Sequence, residues 1–264
     1  MTHSPSHTAR RIGIIGYGAA GRSCAALLAA ADCEILVLTR TQPDETASNH
    51  PAFAVDLDAL LAWEPDTIIE AASAEAFAEM VPQCLDRGVD VVPASVGALQ
   101  STALASRVRE ACARGGARLI LPSGALGGLD YIAAAALSGD ISVTYISRKP
   151  PAAWTAELAE MGCTERARTE AVTLFEGSAP DAAKLYPKNL NAGLTIALAA
   201  GFDRTRVRVV ADPTVARNTH EVAISGAAGE AFMRFENRPS ADNPKTSAIT
   251  ALSLVSAALQ RGQI

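Results

Sequence analysis

The sequence predicts an α/β protein: a doubly wound parallel sheet followed by a second α+β domain with a mainly antiparallel sheet. Three observations carry this. An apolar run at 11–15 meets the glycine turn Gly16-Tyr17-Gly18-Ala19-Ala20-Gly21, and an alanine-rich helical stretch follows. Short apolar strands then alternate with helical patterns as far as residue 121. Beyond Pro122-Ser123-Gly124 the alternation stops and strand patterns succeed one another, as in antiparallel sheets.

In chain order, strands are expected at 11–15, 34–39, 52–55, 67–70, 89–93 and 117–121, with helices at 19–31, 56–62, 75–86 and 99–113. Six such strands need a sheet covered on both faces, and right-handed crossovers wind it in the Rossmann manner. A helix at about 128–138 leads to a long strand, 141–149, that ends at Pro150-Pro151. Strands at 171–176, 205–211, 219–225 and 230–236, with a helix at about 189–201, complete the second domain. The last helix, 245–260, has Asn243 as N-cap and Pro244 at its first position, and is expected to pack back on the first domain. The expected organisation is a disordered tail over 1–10 and a dinucleotide-binding domain over 11–125, completed by a C-terminal helix within 240–264. A substrate-binding, catalytic and dimerisation domain occupies 126–239.

Composition narrows the function. The 264 residues carry a formal net charge of −5, and the basic residues are scattered. Neither nucleic acid nor an anionic membrane is an expected partner. Five cysteines, an odd number without CxxC spacing, suit reduced thiols in a cytoplasmic protein, and no metal site can be assembled from them. The N-terminal tail lacks the apolar segment of a secretory signal, and charge, Gly or Pro interrupts every apolar run before it could span a bilayer.

The glycine turn is the first candidate site. Gly16 permits the tight strand-to-helix turn, Gly18 lets backbone approach a pyrophosphate, and Gly21 lets the helix pack on the strand. With Ala20 these residues would present the helix N-terminus to the phosphates. The second strand ends in Thr39-Arg40 rather than in the acid that binds a ribose diol. Arg40 can pair with a 2′-phosphate and Thr39 can add a hydroxyl, so NADP is expected alongside NAD; the alternative is a solvated loop arginine. FAD is disfavoured, since the small second domain leaves no room for an isoalloxazine. Ala72 and Ser73 at the end of the fourth strand should lie under the nicotinamide half, and Ser123 is placed to cap the next helix.

Reactive side chains are scarce. Of four histidines, His3 and His7 lie in the tail and His50 in a loop, which leaves His220 as the candidate general acid–base; alone it could equally be structural. Lys188, in Tyr186-Pro187-Lys188-Asn189-Leu190-Asn191, precedes a helix and suits a carboxylate or the nicotinamide carboxamide, or is simply solvated. Arg148-Lys149 is read as a solvated pair. The turn 226–229 is a hairpin or an anion-binding nest.

Three blocks, 122–130 (PSGALGGLD), 184–193 (KLYPKNLNAG) and 215–222 (VARNTHEV), resemble signatures of the L-aspartate dehydrogenase family, and the similarity extends over essentially the whole chain. The resemblance implies oxidation of L-aspartate with NAD or NADP, through iminoaspartate, to oxaloacetate and ammonia. It places the active-site histidine at His220 and cofactor contacts at Ala125 and at the asparagines Asn189 and Asn191, with Asn191 the first choice. Arg40 departs from relatives that carry an acid there, which bears on cofactor preference and not on the reaction. Such chemistry needs Cα and nicotinamide C4 about 3–3.5 Å apart and a base for the ammonium, His220 or else a buried Lys188. Glu221 falls on the opposite strand face from His220, so no His–Glu dyad is expected. Lys188, the 123–125 segment and the 226–229 turn are the candidates, in that order, for the two substrate carboxylates. Alternatives are an oxidoreductase like homoserine dehydrogenase or dihydrodipicolinate reductase, and a non-catalytic NAD(P)-binding sensor; a homodimer is expected.

Overall fold

The computed structural model describes residues 9–40, 51–186, 191–240 and 246–260, which divide into two compact units. In unit 1, β1 (Arg11–Ile15), β2 (Glu34–Leu38), β3 (Ala52–Ala54), β4 (Thr67–Glu70) and β5 (Asp90–Pro93) form a parallel sheet of order β3-β2-β1-β4-β5. Helices α1 (Ala19–Ala29), α2 (Leu57–Ala62), α3 (Ala74–Asp86) and α4 (Thr102–Gly115) supply the crossovers. Ile12, Ile14, Ile68, Ile69, Val91 and Val92 are fully buried, as strands sandwiched between helix layers must be.

The expected sixth strand, 117–121, is reduced to one parallel bridge, Val91 to Leu119. Val91 N donates to Arg118 O (3.0 Å) and Ile120 N donates to Val91 O (2.8 Å). The next β5 residue facing that edge is Pro93, which has no N–H to continue the ladder.

Unit 2 contains α5 (Leu129–Ala136), β6 (Ser142–Lys149), α6 (Thr155–Glu160), β7 (Val172–Ser178), α7 (Ala179–Leu185), α8 (Asn191–Ala200), β8 (Thr205–Ala211), β9 (Asn218–Gly226) and β10 (Gly229–Asn237). Its sheet, of order β10-β9-β6-β8-β7, is mixed: β6 and β8 run parallel, and the other three pairings are antiparallel. One face, with Val143, Tyr145, Val207, Val209 and Val222, is buried in a single apolar core with Ile132 of α5 and Ile196 and Ala197 of α8. The sequence pattern missed α6 and α7, both short, and a 3₁₀ turn at Pro151–Trp154.

The chain then returns to unit 1 as α9 (Ile249–Leu259), where Leu254, Val255 and Ala258 are buried with Ile12, Ile14, Cys24 and Leu28. The unit boundaries differ from the expected ones, by three residues at the first crossing (122/123 against 125/126) and eleven at the second (250/251 against 239/240). Residues 123–125 group with unit 2, where Asn237 Nδ2 donates to Ala125 O (2.7 Å). Residues 246–250 also stay there, held by Ser240 N to Thr246 O and Ala248 N to Arg238 O. The capping positions Asn243 and Pro244 lie outside the described residues.

The β1–α1 turn depends on two missing side chains. A Cβ at Gly21 would stand 2.0 Å from Gly16 O, and Gly16 itself has φ +99° with Ala71 O 2.7 Å from its missing Cβ. At Gly18 a Cβ would meet nothing within 4 Å. Gly21→Ala is therefore expected to destabilise unit 1 by about 1–3 kcal/mol through overpacking. Gly18→Ala should leave stability within about 0.5 kcal/mol. Denaturant unfolding of the two variants checks this, and equal losses would contradict the packing account.

Candidate active site

In unit 1 the candidate nucleotide residues gather at the C-terminal ends of β1, β2 and β4. Gly18 is the N-cap of α1 and provides no side-chain cap; the first turn of this eleven-residue helix contains no acid. The N–H groups of that turn thus keep a partial positive charge available to an anion, and the open space at Gly18 leaves room for one. Ala20 is half-buried beside them, Thr39 is half-buried at the tip of β2, and Arg40 is exposed. Ser73 caps α3, its hydroxyl accepting from Ala76 N (3.2 Å). Glu75 is held below the usual carboxylate range by its own amide and the Ser73 hydroxyl, with a further contribution from the positive charge of Arg40. Arg40 and Ser73 therefore lie in one neighbourhood.

A residue without an assigned role organises this edge. Glu70, the last residue of β4, has no exposed surface. Its carboxylate accepts from Ala72 N (2.9 Å), Ser95 N (3.0 Å) and Ser95 Oγ (2.9 Å). Burial raises its pKa, against the lowering effect of these donors. One buried acid thus fixes the Ala71–Ser73 loop and the chain after β5. The four-residue apolar-to-Glu run gave only a strand end.

In unit 2, His220 is the only histidine among the described residues. It sits on β9 opposite Ser147 of β6 and Phe235 of β10, and is 6 % exposed. Tyr145 Oη lies 2.7 Å from His220 Nδ1, with the two rings nearly parallel at a centroid distance of 6.0 Å. Tyr145 is itself fully buried, and burial pushes its phenol pKa well up, so it keeps its proton. Burial first, and the charge of Lys149 second, lower the His220 pKa from 6.5 to about 4. The imidazole is neutral at pH 7. If Nδ1–H donates to Tyr145 Oη, Nε2 carries the lone pair that a base requires.

The loop carrying Ala125 reaches this layer. Asn237 Nδ2 holds Ala125 O, and the missing Cβ of Gly127 would lie 3.1 Å from the ring of Phe235, the strand neighbour of His220. Asn191, exposed, opens α8, and two residues later Gly193 lies against the Tyr145 ring. Ala125, Asn191 and His220 thus belong to one part of unit 2. Lys188 and Asn189 lie outside the described residues.

Three expectations are corrected. Ser123 does not cap the following helix: α5 starts at Leu129, after Gly128 in the left-handed region, and the Ser123 carbonyl instead accepts from Leu126 N. The 226–229 turn is a hairpin occupied by an acid, with Ala227 N donating to both oxygens of Asp140 (3.2 and 3.0 Å), so it cannot take a substrate carboxylate. Arg148-Lys149 is not a solvated pair. Arg148 binds Glu221 (2.8 Å) and Asp212 (3.1 Å) on one face of the sheet. Lys149, 7 % exposed, lies on the other face with its ammonium 5.3 Å from the Trp154 ring centroid. Glu221 binds Arg148 and Arg234 on the face opposite His220. Period-two alternation from Val143 and Tyr145 already puts Lys149 on the core face, a signal that the charge of the dipeptide obscured.

Among the described residues no group of three or more His, Cys, Asp or Glu could hold a metal, and no helix is long and apolar enough to cross a membrane.

The two units together define a dinucleotide-binding oxidoreductase fold with a dedicated α+β second domain. Residues 16–122 match the family model "Homoserine dehydrogenase, NAD binding domain", and residues 130–261 match "Aspartate dehydrogenase, C-terminal". The chain is 44 % identical over 261 residues to L-aspartate dehydrogenase 2 of Bordetella pertussis, covering 97 % of this chain and 95 % of the relative. It is 41 % identical to the L-aspartate dehydrogenase of a Polaromonas species, covering 96 % and 98 %. Among solved structures it is similar to aspartate dehydrogenase from Thermotoga maritima, with a TM-score of 0.73, 27 % identity and coverage of 95 % and 94 %. The chain belongs to the aspartate dehydrogenase family, and its first unit is of the NAD(P)-binding type.

The His220 environment has a direct spectroscopic consequence. NMR of the imidazole nitrogens should show a neutral ring down to about pH 5; a midpoint near 6.5 would contradict the burial argument. Because the folded pKa is the lower one, this group does not affect stability above pH 6.5. Stability is then lost as pH falls towards 4, by about 3 kcal/mol from this residue.

Proposed function

We propose that this chain catalyses the reversible NAD(P)-dependent oxidative deamination of L-aspartate, through iminoaspartate, to oxaloacetate and ammonia. The observation that carries this reading is the neutral, buried imidazole of His220, held by Tyr145 in the family's second domain. Bound NAD or NADP supplies the hydride acceptor. The open Gly18 turn and the uncapped α1 N-terminus suit its pyrophosphate, with Gly16, Ala20 and Gly21 shaping that turn. Ala72, Ser73, Ala125, Asn189 and Asn191 are assigned to the remaining cofactor contacts, and Thr39 and Arg40 to the adenosine ribose and any 2′-phosphate on it.

The substrate arrives as an ammonium and must lose a proton before its Cα–H bond can break as hydride. His220 Nε2 accepts that proton. Loss of hydride leaves an iminium. Water adds to its carbon as one proton passes to solvent. His220 returns its proton to the carbinolamine nitrogen, and ammonia leaves as the carbinol O–H proton is released and the carbonyl of oxaloacetate forms. Lys188 is assigned to one substrate carboxylate, and is the second choice as base.

The homodimer contact is placed on the open face of the unit 2 sheet, where Phe232 is 66 % exposed beside Ala223 and Thr144. Five free cysteines suit a reducing compartment, and the cytoplasm is the assigned location.

The decisive assay is NAD(P)H formation with L-aspartate and, separately, with homoserine. Turnover with aspartate alone is expected; turnover with homoserine alone would favour the homoserine dehydrogenase reading, and nucleotide binding without turnover the sensor. His220→Ala should lower kcat by about 10²–10⁴-fold, the usual contribution of a positioned acid–base, with cofactor Kd changed by no more than a few-fold. Unchanged kcat would remove His220 from the mechanism. Arg40→Ala should weaken NADP by about tenfold or more, the scale of a charge-assisted hydrogen bond, and NAD far less. Equal losses would show that Arg40 does not read the 2′-phosphate.

A further inference from the structure

We propose that Lys149, Trp154 and Ser147 form the subsite that receives one carboxylate of the dicarboxylic substrate beside His220. This rests on the functional reading above and brings into it Lys149, which the sequence reading had placed in solvent.

Tyr145, Ser147 and Lys149 alternate along β6 and share its core face. Ser147 lies directly across the ladder from His220, so the hydroxyl and imidazole are neighbours. Lys149 is the next residue along that face, and its charge is felt at the imidazole. A cation in so dry a position is costly unless an anion or strong dipoles face it. Trp154 provides one such contact with its ring.

One orphaned donor, with an under-used hydroxyl near it on the same face, points to a ligand. Trp154 is 1 % exposed, yet its Nε1–H, which can only donate, has no hydrogen-bond partner among the described residues. Ser147, also 1 % exposed, has an Oγ that makes no well-formed hydrogen bond among the described residues, although the Tyr145 hydroxyl is close enough to feel it. Native interiors seldom leave such groups unmatched, and a bound ligand is one of the few explanations. An ammonium, an indole N–H and a hydroxyl are together a donor set for a carboxylate, which can only accept when ionised.

The position also serves the chemistry. A carboxylate neutralising Lys149 would relieve the push that this cation exerts on His220, raising the proton affinity of the base only when substrate is bound. Aspartate has two carboxylates, so this subsite and Lys188 are complementary assignments.

The test uses the full chain saturated with NAD and titrates succinate, a dicarboxylate that cannot be oxidised at an amine, by calorimetry. Wild type is expected to bind succinate saturably. Lys149→Met, which keeps the stem on Trp154, should weaken it at least 30-fold, Lys149→Arg should restore part of that, and Trp154→Phe should weaken it three- to tenfold. In turnover, Lys149→Met should raise KM for aspartate at least 30-fold, with kcat changed less than fivefold and NAD affinity within twofold. Should Lys149→Met fail to fold, Trp154→Phe decides, since it keeps the ring and deletes only the N–H side. Succinate binding that is absent in wild type, or unaltered in the variants, overturns the subsite and leaves the aspartate assay standing. Wild type that binds succinate as described but oxidises no aspartate supports the subsite and overturns the reading of the reaction.

Discussion

The hydrogen bond between Tyr145 and His220 is the constraint on which the rest of unit 2 depends. An imidazole in an apolar core needs a partner for at least one nitrogen, and Tyr145 Oη supplies it at 2.7 Å. That bond requires β6 and β9 to pair in the observed register, with Ser147 opposite His220 and Tyr145 opposite Val222. A slip of one residue would turn His220 to the other face, among Arg148, Glu221 and Arg234, where it would be solvated and differently charged. The ion network on that face helps to fix the register: Arg148 joins Glu221 and Asp212, and Arg234 joins Glu221. Two chemistries are therefore kept apart by the thickness of one sheet. Formal charges pair on the outer face, and a neutral base is kept on the inner.

Unit 1 is shaped by a different requirement, the close approach of backbone to backbone. Gly16 and Gly21 are needed because carbonyl oxygens occupy the places their Cβ atoms would take, whereas Gly18 faces open space. Glu70 does the complementary task at the next strand end, where a buried carboxylate gathers the N–H groups of Ala72 and Ser95. The turn leaves donors available to an anion, while the neighbouring loops have theirs satisfied internally.

The fold was legible where hydrophobic period and turn chemistry agreed. The run Ile12–Ile15 into GYGAAG identified β1 and α1, and β4 and β5 read as strands from the β-branched pairs Ile68-Ile69 and Val91-Val92 at their centres. The sixth strand failed for a reason visible only in the ladder, since Pro93 stops pairing on the edge that 117–121 would join. The parallel β6–β8 pair could not be read from strands that follow one another, because intervening α6, α7 and α8 carry the crossover. At the site, His220 was found because histidines are few. Tyr145 carried no signal beyond its place in the strand pattern 141–149, and Lys149 was hidden by adjacent Arg148, whose side chain does seek carboxylates. Glu70 carried no local signal, since its three donors come from residues two and twenty-five positions away.

The account stands on removal of hydride from Cα of aspartate by this chain. Turnover of L-aspartate deuterated at Cα, followed by mass analysis of the reduced cofactor, tests that directly. The account predicts one deuterium carried to the nicotinamide ring in each turnover. Reduced cofactor without deuterium, or no reduced cofactor at all, would contradict it.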